Sequence, residues 1–152
     1  MIKTIMLGEN EVKLKSSAAT NILYKKAFGE DILTRLTSYA KNTKKLKKMQ
    51  EDLEEIRSDE TKSQEEILEA MNALLNSDEY KNADNFKSET LPRLAYIMWL
   101  EANADKQLFT KLNEEQYLYW LMTVDQDDLL EVTGEVMDIW QAGARTHSKP
   151  KN

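Results

Sequence analysis

Leu91-Pro92-Arg93-Leu94-Ala95-Tyr96-Ile97-Met98-Trp99-Leu100 is the stretch on which the fold turns. It fits a helix with Pro in its first turn, where the missing backbone N–H would have had no partner. Leu91, Leu94, Ala95, Met98 and Ala102 form one face, and Tyr96 and Trp99 lie off it. A second dense stretch, Tyr117-Leu118-Tyr119-Trp120-Leu121-Met122, follows Asn113, a residue suited to cap a helix. Tyr117, Trp120, Leu121 and Val124 share one side, leaving Tyr119 and Met122 elsewhere. A final helix, roughly Asp127 to Gln141, presents Leu130, Val136, Met137 and Trp140, with Gly143 as its expected stop.

Upstream, the pattern changes period. Ile5 and Leu7, then Gly8-Glu9-Asn10-Glu11, then Val12 and Leu14 alternate as a β-hairpin does. A lone hairpin is marginal in water, so its apolar face requires a cover from the helices or from a second copy. Ser16-Ser17 supplies N-cap hydroxyls for a helix carrying Ile22, Leu23, Ala27 and Phe28, and Gly29 stops it. Glu30-Asp31 opens a second helix with Ile32, Leu33, Leu36, Tyr39 and Ala40. From Lys41 to Arg57 the seam continues as Leu46, Met49, Leu53 and Ile56 among many charges. Residues 57–65 are polar, and Ser63 can cap a helix bearing Ile67, Leu68, Met71, Leu74 and Leu75. Residues 76–88, rich in Asn, Ser, Asp and Lys around Tyr80 and Phe86, read as a loop.

These segments predict a mainly α fold: an N-terminal β-hairpin followed by a bundle of about five to six helices. One domain is expected over 1–152. Its parts are the hairpin (1–15), N-terminal helices (16–57), a charged, partly flexible middle (58–88), aromatic-rich C-terminal helices (89–143) and a polar tail (144–152). Only four Gly and two Pro interrupt 152 residues, which favours long helices.

The net charge of −6 conceals an asymmetry. Residues 1–50 carry 11 Lys/Arg against 4 Asp/Glu, residues 51–112 carry 7 against 15, and residues 113–152 carry 3 against 8. A basic head and an acidic body favour charged partners, or each other. The chain has no Cys, which excludes disulfides, thiolate nucleophiles and Cys-based metal centres. Its start lacks the pattern of a signal peptide, and no apolar run approaches a membrane span, so no membrane partner is expected.

No catalytic constellation emerges, and the expectation is a protein that is not an enzyme and uses no cofactor or metal. The sole His, His147, has no suggested carboxylate or nucleophile beside it. Asp125-Gln126-Asp127-Asp128 resembles part of a calcium loop but lacks its central Gly and closing Glu, and helix capping explains it more simply. The Lys41–Lys48 cluster could touch phosphates, giving an alternative reading as a small helical regulator that binds nucleic acid. The adjoining Glu51–Glu55 run opposes that, and no aromatic interleaves the lysines for base stacking. The aromatic helices remain. In a chain this small, not every side of both can be central, so some of Tyr96, Trp99, Tyr119, Met122 and Trp140 should form an exposed apolar patch that binds a partner.

Two further stretches carry a resemblance. Lys13-Leu14-Lys15-Ser16-Ser17-Ala18-Ala19-Thr20, then Tyr24-Lys25 and Phe28-Gly29-Glu30-Asp31-Ile32-Leu33, resembles the start of tail assembly chaperones of long-tailed (siphovirus-type) bacteriophages and prophages. Leu94-Ala95-Tyr96-Ile97-Met98, Tyr119-Trp120-Leu121, Asp128-Leu129-Leu130 and Ile139-Trp140 look like that family's closing helices. Residues 41–88 carry no correspondence. The resemblance implies a chaperone that binds the tape measure protein, keeps it soluble and helps recruit tail-tube protein, the last through a frameshifted longer form. It also implies a homo-oligomer working in the host bacterial cytoplasm and absent from the mature virion.

Overall fold

The computed structural model describes residues 1–104 and 106–148, the last five by backbone alone. The fold is mainly α. An antiparallel hairpin of β1 (Ile2–Leu7) and β2 (Asn10–Lys15) precedes α1 (Thr20–Phe28), α2 (Ile32–Ser58), α3 (Gln64–Leu75) and α4 (Asp78–Asn85). A π-helical turn at Phe86–Thr90 leads into α5 (Leu91–Asn103), and a 3-10 turn at Leu108–Lys111 into α6 (Glu114–Leu121), α7 (Gln126–Glu131) and α8 (Thr133–Ser148). The chain forms two compact units: residues 1–33 with 87–152, and residues 34–86.

In the first unit the hairpin pairs Ile5 with Val12 and Leu7 with Asn10, so the turn is Gly8-Glu9. Gly8 has φ of 65° and no described non-Gly residue has a positive φ, the pattern of a type II′ hairpin turn. Ile5, Leu7 and Leu14 point inward and are buried, as the alternation predicts. Their cover is α5, which runs against β2, and α8, which touches both strands. α5 also meets α1 and α6. Surrounded in this way, it buries Leu91, Pro92, Leu94, Ala95, Tyr96, Ile97, Met98 and Leu100.

Several local expectations change. Ser16 does not cap α1: it is buried, and its Oγ donates to the Ile139 carbonyl of α8 at 2.5 Å. Gly143 is not a stop but an interior residue of α8. A β-carbon there would collide with Ser16 Oγ and with the Ser16 backbone, so the glycine marks the close approach of α8 to the end of β2. The polar tail expected from residue 144 is helical to Ser148, and residues 149–152 lie outside the described residues. The predicted helix 127–141 is two helices, parted at Val132. Asp125 caps the first, its Oδ1 accepting from the N–H of Asp127 and Asp128. That capping role accounts for the acidic run.

The second unit is built on the long α2. It is one helix of 27 residues, about 40 Å at 1.5 Å per residue, along which the seam continues from Ile32 past Lys41 to Ile56. The expected loop at 76–88 is α4 followed by the π turn. Ser77 Oγ accepts from Tyr80 N–H, and Asp78 and Glu79 fill the acidic first turn. Phe86 then stacks on Tyr39 of α2, with ring centroids 4.3 Å apart. Leu46, Ala83 and Phe86 are the buried apolar residues of this unit. α3 is capped as predicted by Ser63, whose Oγ accepts from Glu66 N–H, and it packs on α4.

Candidate protein-binding surface

Polar side chains first lock the frame of the first unit. Glu101 of α5 accepts from Ser17 Oγ at 2.9 Å and Thr20 Oγ1 at 2.6 Å, fixing the turn into α1. Arg93 lies between Glu30 at 3.6 Å and Glu114 at 3.2 Å, with its guanidinium over the Phe28 ring. The sequence reading found neither cluster, since each joins residues far apart in the chain.

Aromatic packing continues inward from there. Tyr24 meets Phe28, Phe28 meets Tyr117 edge-on at 5.3 Å, and Tyr117 meets Tyr96 and Trp120. Trp99 closes the network against Tyr96 and Trp120. Burial pushes the Tyr96 and Tyr117 phenols up to about 12. Tyr24 is raised further by burial and then by the Glu30 carboxylate, to which its hydroxyl donates. These groups are held neutral by packing.

α6 stands at the edge of this network. Asn113 caps it as predicted, Oδ1 accepting from Gln116 N–H at 2.9 Å. Tyr117 and Trp120 turn inward and are buried. Helical geometry then carries Leu118, Tyr119 and Met122 outward, and they are 49%, 58% and 81% exposed. A concavity flanks the ridge on each side. One is a cleft of about 320 Å³ lined by Pro92, Leu121, Val124, Leu129 and Leu130, with Gln126 at its rim. The other, of about 300 Å³, is more open and is lined by Trp99, Tyr119 and Trp120 with Lys111 and Gln116. Glu114 and Glu115 occupy the first turn of α6, and Asp127 and Asp128 the first turn of α7.

The five residues singled out from sequence therefore divide. Tyr119 and Met122 are displayed on the ridge, and Trp99, half-buried, lines the open depression. Tyr96 and Trp140 are buried, though Tyr96 also lines that depression. Of the two aromatic helices, α5 is the central one, with β2, α1, α6 and α8 around it, and α6 is the one with a displayed side. Within that core the Tyr96 hydroxyl donates to the Lys111 carbonyl at 2.7 Å, and Trp140 Nε1 donates to Asn21 Oδ1 at 2.7 Å. Each polar tip has a partner that lets the ring stay inside. Leu118 and Leu130 belong to the surface as well, though the sequence pattern singles out neither as a binding residue.

No three His, Asp or Glu side chains among the described residues are placed to hold a metal ion. No described helix is long and apolar enough to cross a membrane. Lys41, Lys44, Lys45, Lys47 and Lys48 lie exposed on α2, where Lys45 sits 3.9 Å from Glu79. Comparison with protein-family models, with curated proteins and with solved structures finds no match to the chain.

Proposed function

We propose that the chain is a non-enzymatic binding protein that shields an apolar helix of a client, and that the client is the tape measure protein of a long-tailed phage. The observation that carries the reading is the ridge of Leu118, Tyr119 and Met122 between two apolar concavities. Large apolar side chains in that setting bind rather than solvate. Tyr and Met are favoured at interface cores, and Met adapts to irregular partners. An amphipathic client helix would lay its apolar stripe along such a ridge. The phage assignment rests on the resemblance of both ends of the chain to tail assembly chaperones. A homo-oligomer in the host cytoplasm, with tail-tube protein as a second partner, belongs to the same reading.

The test is co-expression with a tape measure segment and titration of the purified pair. Tyr119→Ser with Met122→Ser is expected to weaken binding at least about tenfold, since truncating central interface anchors costs about 2 kcal/mol or more. Both side chains face solvent in the single chain, so its thermal midpoint should hold. Undiminished binding by this folded variant would overturn the proposed surface. Failure of the parent chain to bind any tape measure segment would overturn the client.

A further inference from the structure

The hairpin has two edges, and the chain occupies one of them. Ser16 N–H donates to the Met1 carbonyl at 2.9 Å. In the register that pairs Lys3 with Leu14 and Ile5 with Val12, the backbone groups of Lys3, Ile5 and Leu7 therefore turn toward β2. On β2 it is Glu11, Lys13 and Lys15 that turn theirs to the far edge. There Asn103 of α5 donates from Nδ2 to the Lys13 carbonyl at 3.1 Å. On β1 the N–H and C=O groups of Ile2, Thr4 and Met6 turn outward. No described residue bonds to them.

That edge is regular as well as open. β1 pairs with β2 without a break over six residues, and it contains neither Pro nor a bulge. Thr4 is exposed, and Ile2 and Met6 are 63% and 50% exposed. Such an edge is a template for another strand unless something guards it. The charged residue on β1 is Lys3, and Lys13 and Lys15 stand opposite Thr4 and Ile2 on the outward face. None of these three lysines is ion-paired among the described residues. Lys13 would lie two strand spacings, about 10 Å, from an added strand, a gap that a lysine and a glutamate close over the small Thr4.

We propose that the free edge of β1 takes an extended, acid-bearing segment of a partner protein as the third strand of the sheet. The three N–H and three C=O groups of Ile2, Thr4 and Met6 supply the main-chain hydrogen bonds, and side chains at alternate positions select the segment. Charge fixes its chemistry. A carboxylate opposite Lys3, and another reaching over Thr4 to Lys13, answer lysines that nothing in the described chain pairs. The β1 strand of a second copy offers no such group, since its charged residue is again Lys3. A helical client of the α6 ridge offers none of the backbone groups, because a helix has spent them on itself. The inference goes beyond the chaperone reading and uses none of the residues of that ridge.

The test is fluorescence anisotropy of the full chain with a short labelled peptide that alternates Val with Glu and Thr. The parent is expected to bind it, with slowed amide exchange at Ile2, Thr4 and Met6. Replacing Glu by Lys in the peptide should weaken binding about fivefold, and K3E should recover part of that loss. N-methylation of the peptide amides keeps every side chain and should abolish binding. T4P removes the central donor of the edge without touching the ladder to β2, and should weaken binding at least about tenfold. Tyr119→Ser with Met122→Ser should bind the peptide as the parent does. No binding at millimolar peptide, undiminished binding of the methylated peptide, or parent-like binding by folded T4P would each overturn the edge. A dimer of the parent that T4P dissolves would overturn the occupant, by placing a second copy on β1.

Discussion

α5 and α3 differ by one residue in length and both carry apolar stripes, yet one buries eight residues and the other none. Their surroundings make the difference. α5 is covered by β2, α1, α6 and α8, whereas α3 packs on the short α4. An apolar stripe stabilises a fold only to the extent that other elements remove it from water. The first unit has closed its stripes into a core and displays the α6 ridge at its surface. The second is rich in charge and keeps much of its apolar seam half-covered.

The largest test of this contrast is alkaline pH. Tyr24, Tyr96 and Tyr117 all lie in the first unit, and burial holds their protons more tightly than the unfolded chain does. The folded pKa values are raised, so this stability is complete below the ordinary tyrosine value of 10.0 and is lost as pH rises toward about 12. The loss is on the order of 2 kcal/mol for each of Tyr96 and Tyr117. Amide exchange in α5 should accelerate sharply across that window, and protection that persists above it would refute the packed-phenol account.

Leu94→Ala comes next. It empties a fully buried site in α5 and should cost about 3 kcal/mol in denaturant unfolding. A loss under about 1 kcal/mol would mean that the centre of the first unit is loosely packed. Gly143→Ala should cost about 2 kcal/mol by forcing α8 away from Ser16, and Ser16→Gly in the same chain should return part of it. No recovery would show that the close approach is not the cause. Smallest is Leu68→Ala in α3, expected to change single-chain stability by no more than about 0.5 kcal/mol. A loss like that of Leu94→Ala would erase the distinction between the two units.

Periodicity and capping made much of the fold legible. The hairpin with its turn at Gly8, the caps at Ser63 and Asn113, and Pro92 in the first turn of α5 each depend on neighbours within a few residues. The errors came where distant chain decides. Ser77 and Phe86 turn an apparent loop into α4 and the π turn, because Phe86 finds Tyr39 some forty-seven positions earlier. Gly143 resembled a helix stop until α8 was seen to run against Ser16. Of the candidate surface, Tyr119 and Met122 could be placed from the 3.6-residue period of α6 alone, since Tyr117 and Trp120 claim the inner side. Tyr96 and Trp140 could not, because an aromatic on a wholly apolar helix has no marked outer face.

The sequence by itself determined the mainly helical class, the hairpin, most helix starts, the absence of cysteine chemistry and the charge reversal along α2. Each of these is written in local spacing or composition. Only the tertiary structure decided that α5 is the central helix, that α8 continues through Gly143, and that α6 carries the exposed ridge while α3 has no buried residue. Burial is a property of what packs against a residue, and those neighbours lie far away along the chain.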